Sequence, residues 1–296
     1  MVTPGLLLVD KPAGITSHDV VSKVRKLLGT RKVGHAGTLD PMATGLLVLG
    51  IESGTKLLTF IVGKDKTYEA TIRLGYSTVT DDREGDVLEE ATQDEIAGVT
   101  GQTILSAIAK LTGVIQQKPS AVSAIKVDGE RAYARVRAGE EVDLPSREVT
   151  VSRFEVVGEI RFAKDHIDLD VVVDCSSGTY IRALARDLGN DLGVGGHLTS
   201  LRRTRVGEFD VATGYSFVAS KEAEIIRLAD AAKTSLPFIE ISEQDEIDLR
   251  HGKRIKGQVE VPTAALLDGQ LIAVVEGAGF ESLKSLVVFS LGESNV

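Results

Sequence analysis

Residues 66–74, KTYEATIRL, alternate without a break: Thr67, Glu69, Thr71 and Arg73 against Tyr68, Ala70, Ile72 and Leu74. Successive side chains of a strand point to opposite faces, so this period of two predicts a strand with one buried face. Residues 167–173 repeat the pattern, residues 5–9 and 45–50 read as buried strands, and 121–127 and 147–159 are strand-like. Helical spacing appears where Val20, Val21, Val24, Leu27 and Leu28 follow the capping residues Thr16 and Ser17, with Gly29 closing the helix. Further helices are predicted over 54–62, 92–113 and 179–188, the last carrying Arg182 and Arg186 one turn apart. Residues 31–43 read as a long loop, 80–90 as an acidic loop, and 129–139 as a basic, helix-like insert. Strands and helices mix without a strict βαβ rhythm, which predicts an α+β fold with a mixed, mainly antiparallel central sheet.

A boundary is expected near 225–237, leaving a small β-rich domain with strands at 238–241, 257–261, 264–267, 271–275 and 286–289. A domain that small has a marginal core and leans on the larger one. With 43% hydrophobic and 26% charged residues, the 296-residue chain has the composition of a soluble globular protein. Its single cysteine, Cys175, excludes a disulfide framework and a cysteine-rich zinc site. The opening MVTPGLLLVDKPAG lacks the basic start of a signal peptide, and no apolar run is long enough to span a membrane. A cytoplasmic protein with no membrane partner is expected. Nothing such as a heptad demands a dimer, so a monomer is expected too.

The net charge of −9 hides an asymmetry: residues 1–66 carry nine Lys/Arg and five Asp/Glu, whereas residues 67–100 carry two and nine. Global acidity argues against non-specific DNA coating but leaves room for a shaped RNA site. Lys11, Lys23, Arg31, Lys32 and Lys56 supply cations in the first region, and Arg131, Arg135 and Arg137 in the insert. The densest chemistry lies in GHAGTLDPMATG, residues 34–45, where glycines permit close backbone approach and Pro41 restrains Asp40 to extended geometry. Such a loop can present a carboxylate at a fixed angle. Spacing alone favours the plainer reading, a turn-capping Asp40 and a loop-bonding His35.

The longer string KPAGITSHDVVSKVRKLLGTRKVGHAGTLDPMATGLLVLGIESGTKLL resembles the N-terminal motif of the TruB family, the tRNA pseudouridine-55 synthases. KTYEATIRLG, QKPSAVSAIKVDGERAYARVRAGEEV, SSGTYIRALARDLG and HLTSLRRTRVGEF follow in the family's order. The resemblance covers roughly residues 5–210. It implies a pseudouridine synthase fold, with a catalytic domain over 1–230, an RNA-binding insert over about 111–150, and a PUA-like domain over 231–296.

The implied reaction breaks the N1–C1′ bond of one uridine in the TΨC stem-loop of tRNA, turns the base and joins C5 to C1′, with no cofactor, metal or guide RNA. By resemblance Asp40 is the essential carboxylate, acting at C1′, at C6, or in elimination to a glycal. Arg182 is its ion-pair partner, Tyr68 lies next to the target base, and Tyr180 is a second aromatic of the pocket. Leu201 belongs to the segment that closes over the flipped nucleotide. His35 fills the position the flipped base leaves, and Asp82 organises Tyr180 and Arg182. Lys11 and Lys56 bind the RNA backbone. Two departures stand out: Val79 replaces the family's usual Asp, and PSAVSAIK replaces PPxYSAxK. A tRNA-folding chaperone with secondary catalysis, or a synthase acting on another RNA, is the competing implication.

Overall fold

The computed structural model of the chain describes residues 2–120, 126–127, 130–131, 144–217 and 223–289. From the N-terminus come β1 (Gly5–Lys11), α1 (Ser17–Leu28), β2 (Val33–His35), β3 (Thr44–Ile51), α2 (Leu58–Ile61), β4 (Lys66–Leu74), β5 (Tyr76–Thr78) and β6 (Val87–Glu90). Next are α3 (Gln93–Ala97), α4 (Gly101–Lys110), β7 (Gly113–Gln117), β8 (Lys126–Val127), β9 (Glu130–Arg131), β10 (Arg147–Phe162), β11 (Ile167–Cys175), α5 (Ile181–Asp191) and β12 (Gly196–Val206). The chain continues through β13 (Phe209–Asp210), β14 (Ile226–Arg227), α6 (Leu228–Ser235), β15 (Phe238–Glu240), α7 (Glu243–Arg250), β16 (Ile255–Lys256), β17 (Thr263–Leu267), β18 (Gln270–Gly277) and β19 (Ser282–Val288). Among the described residues no helix is long and apolar enough to cross a membrane. Contacts divide the chain into two compact units: Met1–Pro41 with Gly45–Val62 and Gly207–Val296, and Met42–Thr44 with Gly63–Val206.

In the first unit β1 runs antiparallel to β3 from Gly5 opposite Ile51 to Lys11 opposite Gly45. β14 borders β1 and β2 borders β3. Helix α1 starts as its sequence predicts: Thr16 Oγ1 accepts from the Asp19 N–H at 3.1 Å while the Asp19 carboxylate accepts from the Thr16 N–H at 2.8 Å. Gly29 ends it in the left-handed conformation, φ 69°. Val20, Val21 and Val24 then pack on Leu7, Val9, Leu47 and Leu49. The expected loop 31–43 holds a short strand, β2. The expected helix 54–62 is a 3-10 turn, Glu52–Leu57, followed by the single turn α2.

The same unit carries a five-stranded sheet ordered β15-β17-β18-β19-β16, in which only β15 and β17 are parallel. Its core is Leu249, Ile255, Ala265, Ala273, Val275 and Leu283. Residues 257–261 are not a strand here; the strand lies just before them, at β16. Helix α7 went unforeseen because Leu249 is its only buried residue, which leaves no apolar period to read.

In the second unit the strands run in the order β12-β4-β11-β10-β7, each antiparallel to its neighbour. β4 is flanked on both sides, and its burial alternates as its sequence does. The expected helix 92–113 is broken into α3 and α4, because Thr92 with Glu95 and Thr100 with Thr103 cap two separate starts. Its last residue opens β7. The acidic segment 80–90 ends in β6, which pairs with β5. The strand β10 extends past 159 to Phe162. β12, which carries Leu201, follows no simple period: register shifts between Leu198 and Ser200 and between Arg203 and Arg205 break the alternation. The expectations for 121–127 and 129–139 fall largely outside the described residues; only the short β8–β9 ladder is described there. The side chains of Arg131, Arg135 and Arg137 lie outside them as well.

Candidate active site

In the first unit the loop that carries Asp40 is tied down on both sides of that residue. Ser17 Oγ accepts from the Leu39 N–H at 2.9 Å and donates to the Leu39 carbonyl at 3.1 Å. On the other side, the Pro41 carbonyl accepts from the Gly14 N–H at 2.9 Å and from Lys11 Nζ at 3.2 Å. Leu39 and Met42 are buried, and Asp40 between them is half-buried. The motif KPAG therefore folds so that its turn grips the TLDPM segment, and the carboxylate sits on a backbone fixed at Leu39 and Pro41. Gly37, at φ 91°, makes the preceding bend, a conformation that favours glycine.

Lys11, expected on the RNA backbone, is turned inward. It is fully buried and donates to the carbonyls of Pro12 at 3.0 Å and Ile15 at 2.7 Å as well as Pro41. A buried ammonium needs such acceptors, so this lysine serves the loop that bears Asp40. Lys56, also expected on RNA, stays exposed but donates to the Val288 carbonyl at 2.7 Å, with its cation 5.7 Å from the Phe289 ring centre. His35 is half-buried on β2, opposite Leu49 of β3.

The second unit brings together Tyr180, Arg182 and Asp82. Arg182 is buried on the first turn of α5, where Nη1 donates to the Thr80 carbonyl at 2.6 Å and lies 3.5 Å from Asp82 Oδ2. Asp82 Oδ1 in turn accepts from Thr80 Oγ1 at 2.7 Å and from the Glu84 N–H at 3.0 Å, and Asp82 bridges to Leu198 of β12. Asp81 takes the other arginine of the helix: Arg186 Nη1 lies 3.3 Å from Asp81 Oδ2. The adjacent aspartates thus each meet one of two arginines a single turn apart. This separates their roles, which DD alone leaves open. Burial pushes the carboxyls of Asp81 and Asp187 up from their ordinary value, opposed in each case by Arg186.

Tyr68 is buried near the start of β4, between Val173 of β11 and Arg203 of β12. Leu201, also buried, faces Ala70 two pairs along the same ladder. Lys66 lies on the same face of β4 as Tyr68, and burial, aided by Arg203, lowers its amine to about 8. Cys175, its cross-strand partner, is pushed up to about 11 by burial. Gln117, Arg147 and Arg186 also belong to this region, though the sequence reading assigned them no part. Gln117 accepts from the Tyr180 N–H at 2.8 Å and donates to the Tyr180 carbonyl at 3.1 Å. The readable sign was for Arg186 alone, from its spacing to Arg182.

The comparisons agree with these motifs. Residues 25–181 match the N-terminal domain model of the TruB family pseudouridylate synthases, and residues 182–230 match the model of the tRNA pseudouridylate synthase B C-terminal domain. The tRNA pseudouridine synthase B of Leifsonia xyli is 56% identical over 300 residues, covering 99% of both chains. That of Paenarthrobacter aurescens is 52% identical, covering 97% of this chain and 96% of its own. Among solved structures, a chain of a Cbf5–Nop10–Gar1 complex superposes with a TM-score of 0.71 at 24% identity, covering 97% of this chain and 84% of that one. One from the archaeal box H/ACA Nop10–Cbf5 complex gives 0.68 at 23%, covering 97% and 86%. At such identities these two speak for the fold alone, which is that of the pseudouridine synthases. The chain belongs to the TruB family of pseudouridylate synthases.

Proposed function

We propose that this protein isomerises a uridine of tRNA to pseudouridine, at position 55 of the TΨC loop, with Asp40 as the essential carboxylate. The observation that carries the reading is the doubly anchored loop, in which Ser17 holds Leu39 and Lys11 with Gly14 holds Pro41. A backbone fixed on both sides keeps one carboxylate at one angle, as a reaction at a single sugar carbon requires. The near-full-length relatives named tRNA pseudouridine synthase B support the substrate class.

In the reaction the N1–C1′ bond breaks, the uracil turns, C5 bonds to C1′, the hydrogen on C5 leaves as a proton and N1 takes up a proton in its place. Atoms and electrons balance within the nucleotide, so no oxidant or group donor is consumed. Asp40 engages C1′ or C6, or assists removal of the C2′ proton. Tyr68 lies beside the base, and Arg182 supplies a cation to the carboxylate. Tyr180 lines the pocket and Leu201 covers it. The target base is flipped out of the folded loop at a cost of a few kcal/mol, and His35 occupies the position it vacates. Residues 111–150 serve as the RNA-binding insert, and residues 231–296 as a PUA-like domain.

The test is release of tritium from a tRNA transcript labelled at uridine C5, because forming the C5–C1′ bond expels that hydrogen. Wild type is expected to release it, and Asp40→Asn to lose release by at least about a thousandfold while still binding tRNA. Near-wild-type release by Asp40→Asn would remove Asp40 from its role. Tight tRNA binding by a wild type that releases nothing would favour the chaperone reading.

A further inference from the structure

Tyr180 sits at the joint between β11 and α5, and the helix begins there without help from its own capping side chain: Tyr180 is the N-cap, in extended geometry at φ −101° and ψ 110°, and its side chain makes no cap hydrogen bond. A joint of this kind swings unless something outside the helix holds it, because the first N–H groups of a helix lack partners within it. The hold comes from the end of the β7–β10 ladder. Gln117 and Arg147 stand directly opposite one another in that ladder. Gln117, fully buried, uses both ends of its amide on the Tyr180 backbone, accepting from the N–H at 2.8 Å and donating to the carbonyl at 3.1 Å. Arg147 lays its guanidinium over the Tyr180 ring, 4.8 Å from the centroid, and donates to the Gly178 carbonyl two residues before it. One member of the pair fixes the main chain and the other fixes the ring plane.

We propose that Gln117 and Arg147 are a positioning pair that sets the direction of Tyr180, and with it the first turn of α5 that carries Arg182. This rests on the reading of Tyr180 and Arg182 as pocket residues. Neither member of the pair is assigned contact with the substrate; both act through Tyr180. The choice of side chains is specific. A carboxamide of this length accepts from an N–H and donates to a carbonyl of the same residue at once, and does so at any pH. A planar guanidinium covers an aromatic face where an ammonium does so poorly.

Gln117→Glu gives the sharpest test. A carboxylate at 117 still accepts from the Tyr180 N–H but faces its carbonyl with no proton to donate. Protonation restores the donor; burial at this site raises the pH at which that happens, and the Arg147 guanidinium opposite it in the ladder opposes the rise. The tritium-release kcat of Gln117→Glu is expected to fall about tenfold or more at pH 8, with KM for tRNA within about twofold. The ratio of variant to wild-type kcat is expected to climb back toward one as the pH drops to about 5.5. Arg147→Lys, at a site that tolerates change more readily, is expected to lower kcat several-fold with KM kept.

Amide exchange at Tyr180 reads the hold independently of activity: Gln117→Leu is expected to speed it about tenfold or more while α4 and β11 keep their protection. An unchanged kcat in both Gln117→Glu and Arg147→Lys, or a loss confined to KM, overturns the proposal. So does an unchanged Tyr180 exchange rate. Failure of the wild type to release tritium strikes the functional reading instead, and the exchange measurement then still decides the positioning claim.

Discussion

Lys66 shows what burial does to a single charge. Its amine is lowered from 10.5 to about 8 by burial, aided by Arg203. Between those two values the unfolded chain holds a proton that the native protein has released, so stability contributed by this group rises with pH across that window. Cys175, raised from 9.0 to about 11, works in the opposite direction because the native thiol keeps its proton longer. The two are separated by comparing wild type with Lys66→Met in urea titrations at pH 7.5 and pH 10. Wild type is expected to gain stability over that interval relative to the variant, by on the order of 2 kcal/mol. A difference that stays flat would place Lys66 in water. Residues are also where the sequence was least legible. Lys11 and Lys56 are both lysines of a basic stretch, yet one is fully buried on three carbonyls and the other exposed against Val288. Charge counts carry no information on which way a side chain turns.

Elements whose signal is local were readable: the alternation of β4, and the cap, apolar stripe and closing glycine of α1. Those shaped by neighbours were not. β12 has bulges at two points, so its period is lost even though it pairs along the whole of β4. Helix α5 was placed within a few residues, and the pairing of Arg182 and Arg186 with successive aspartates followed from their spacing once the turn at Asp81 and Asp82 was in view. What fixes the helix at its other end is a contact of bare backbone. A methyl group on Gly189 would lie 2.1 Å from the Gly195 carbonyl carbon and 2.2 Å from the Gly196 nitrogen. Gly189→Ala adds helix propensity yet forces that crossing apart. It is expected to destabilise by about 1–3 kcal/mol, read as a lower urea midpoint, against the gain the substitution brings at an open helical site. A stabilised Gly189→Ala would mean that α5 slides freely over the start of β12.

Across the whole molecule, the motifs located the Asp40 loop and the α5 arginines, but the division into units was not legible. The first unit joins segments from the two ends of the chain. Its ties run over great sequence distance: β14 on β1, Tyr215 and Phe217 against the core of α1, β1 and β3, and Lys56 on the carbonyl of Val288. The C-terminal sheet therefore braces the strands that support the Asp40 loop. A chain ended at residue 230 is expected to melt more than about 5 °C lower than the full chain by circular dichroism. An unchanged melting temperature would show that the sheet stands apart from them.

The same interleaving has a consequence for birth of the protein. Gly5 pairs with Arg227, and Lys56 waits for Val288. Residues 63–206 form most of the other unit and need no later segment for their own ladders. Synthesis runs at about 5–20 residues per second, so the middle of the chain has its partners for several seconds before the ends have theirs. Strand β1 must spend that interval held on one side alone, by β3, its other edge unclaimed until Ile226 and Arg227 have left the ribosome.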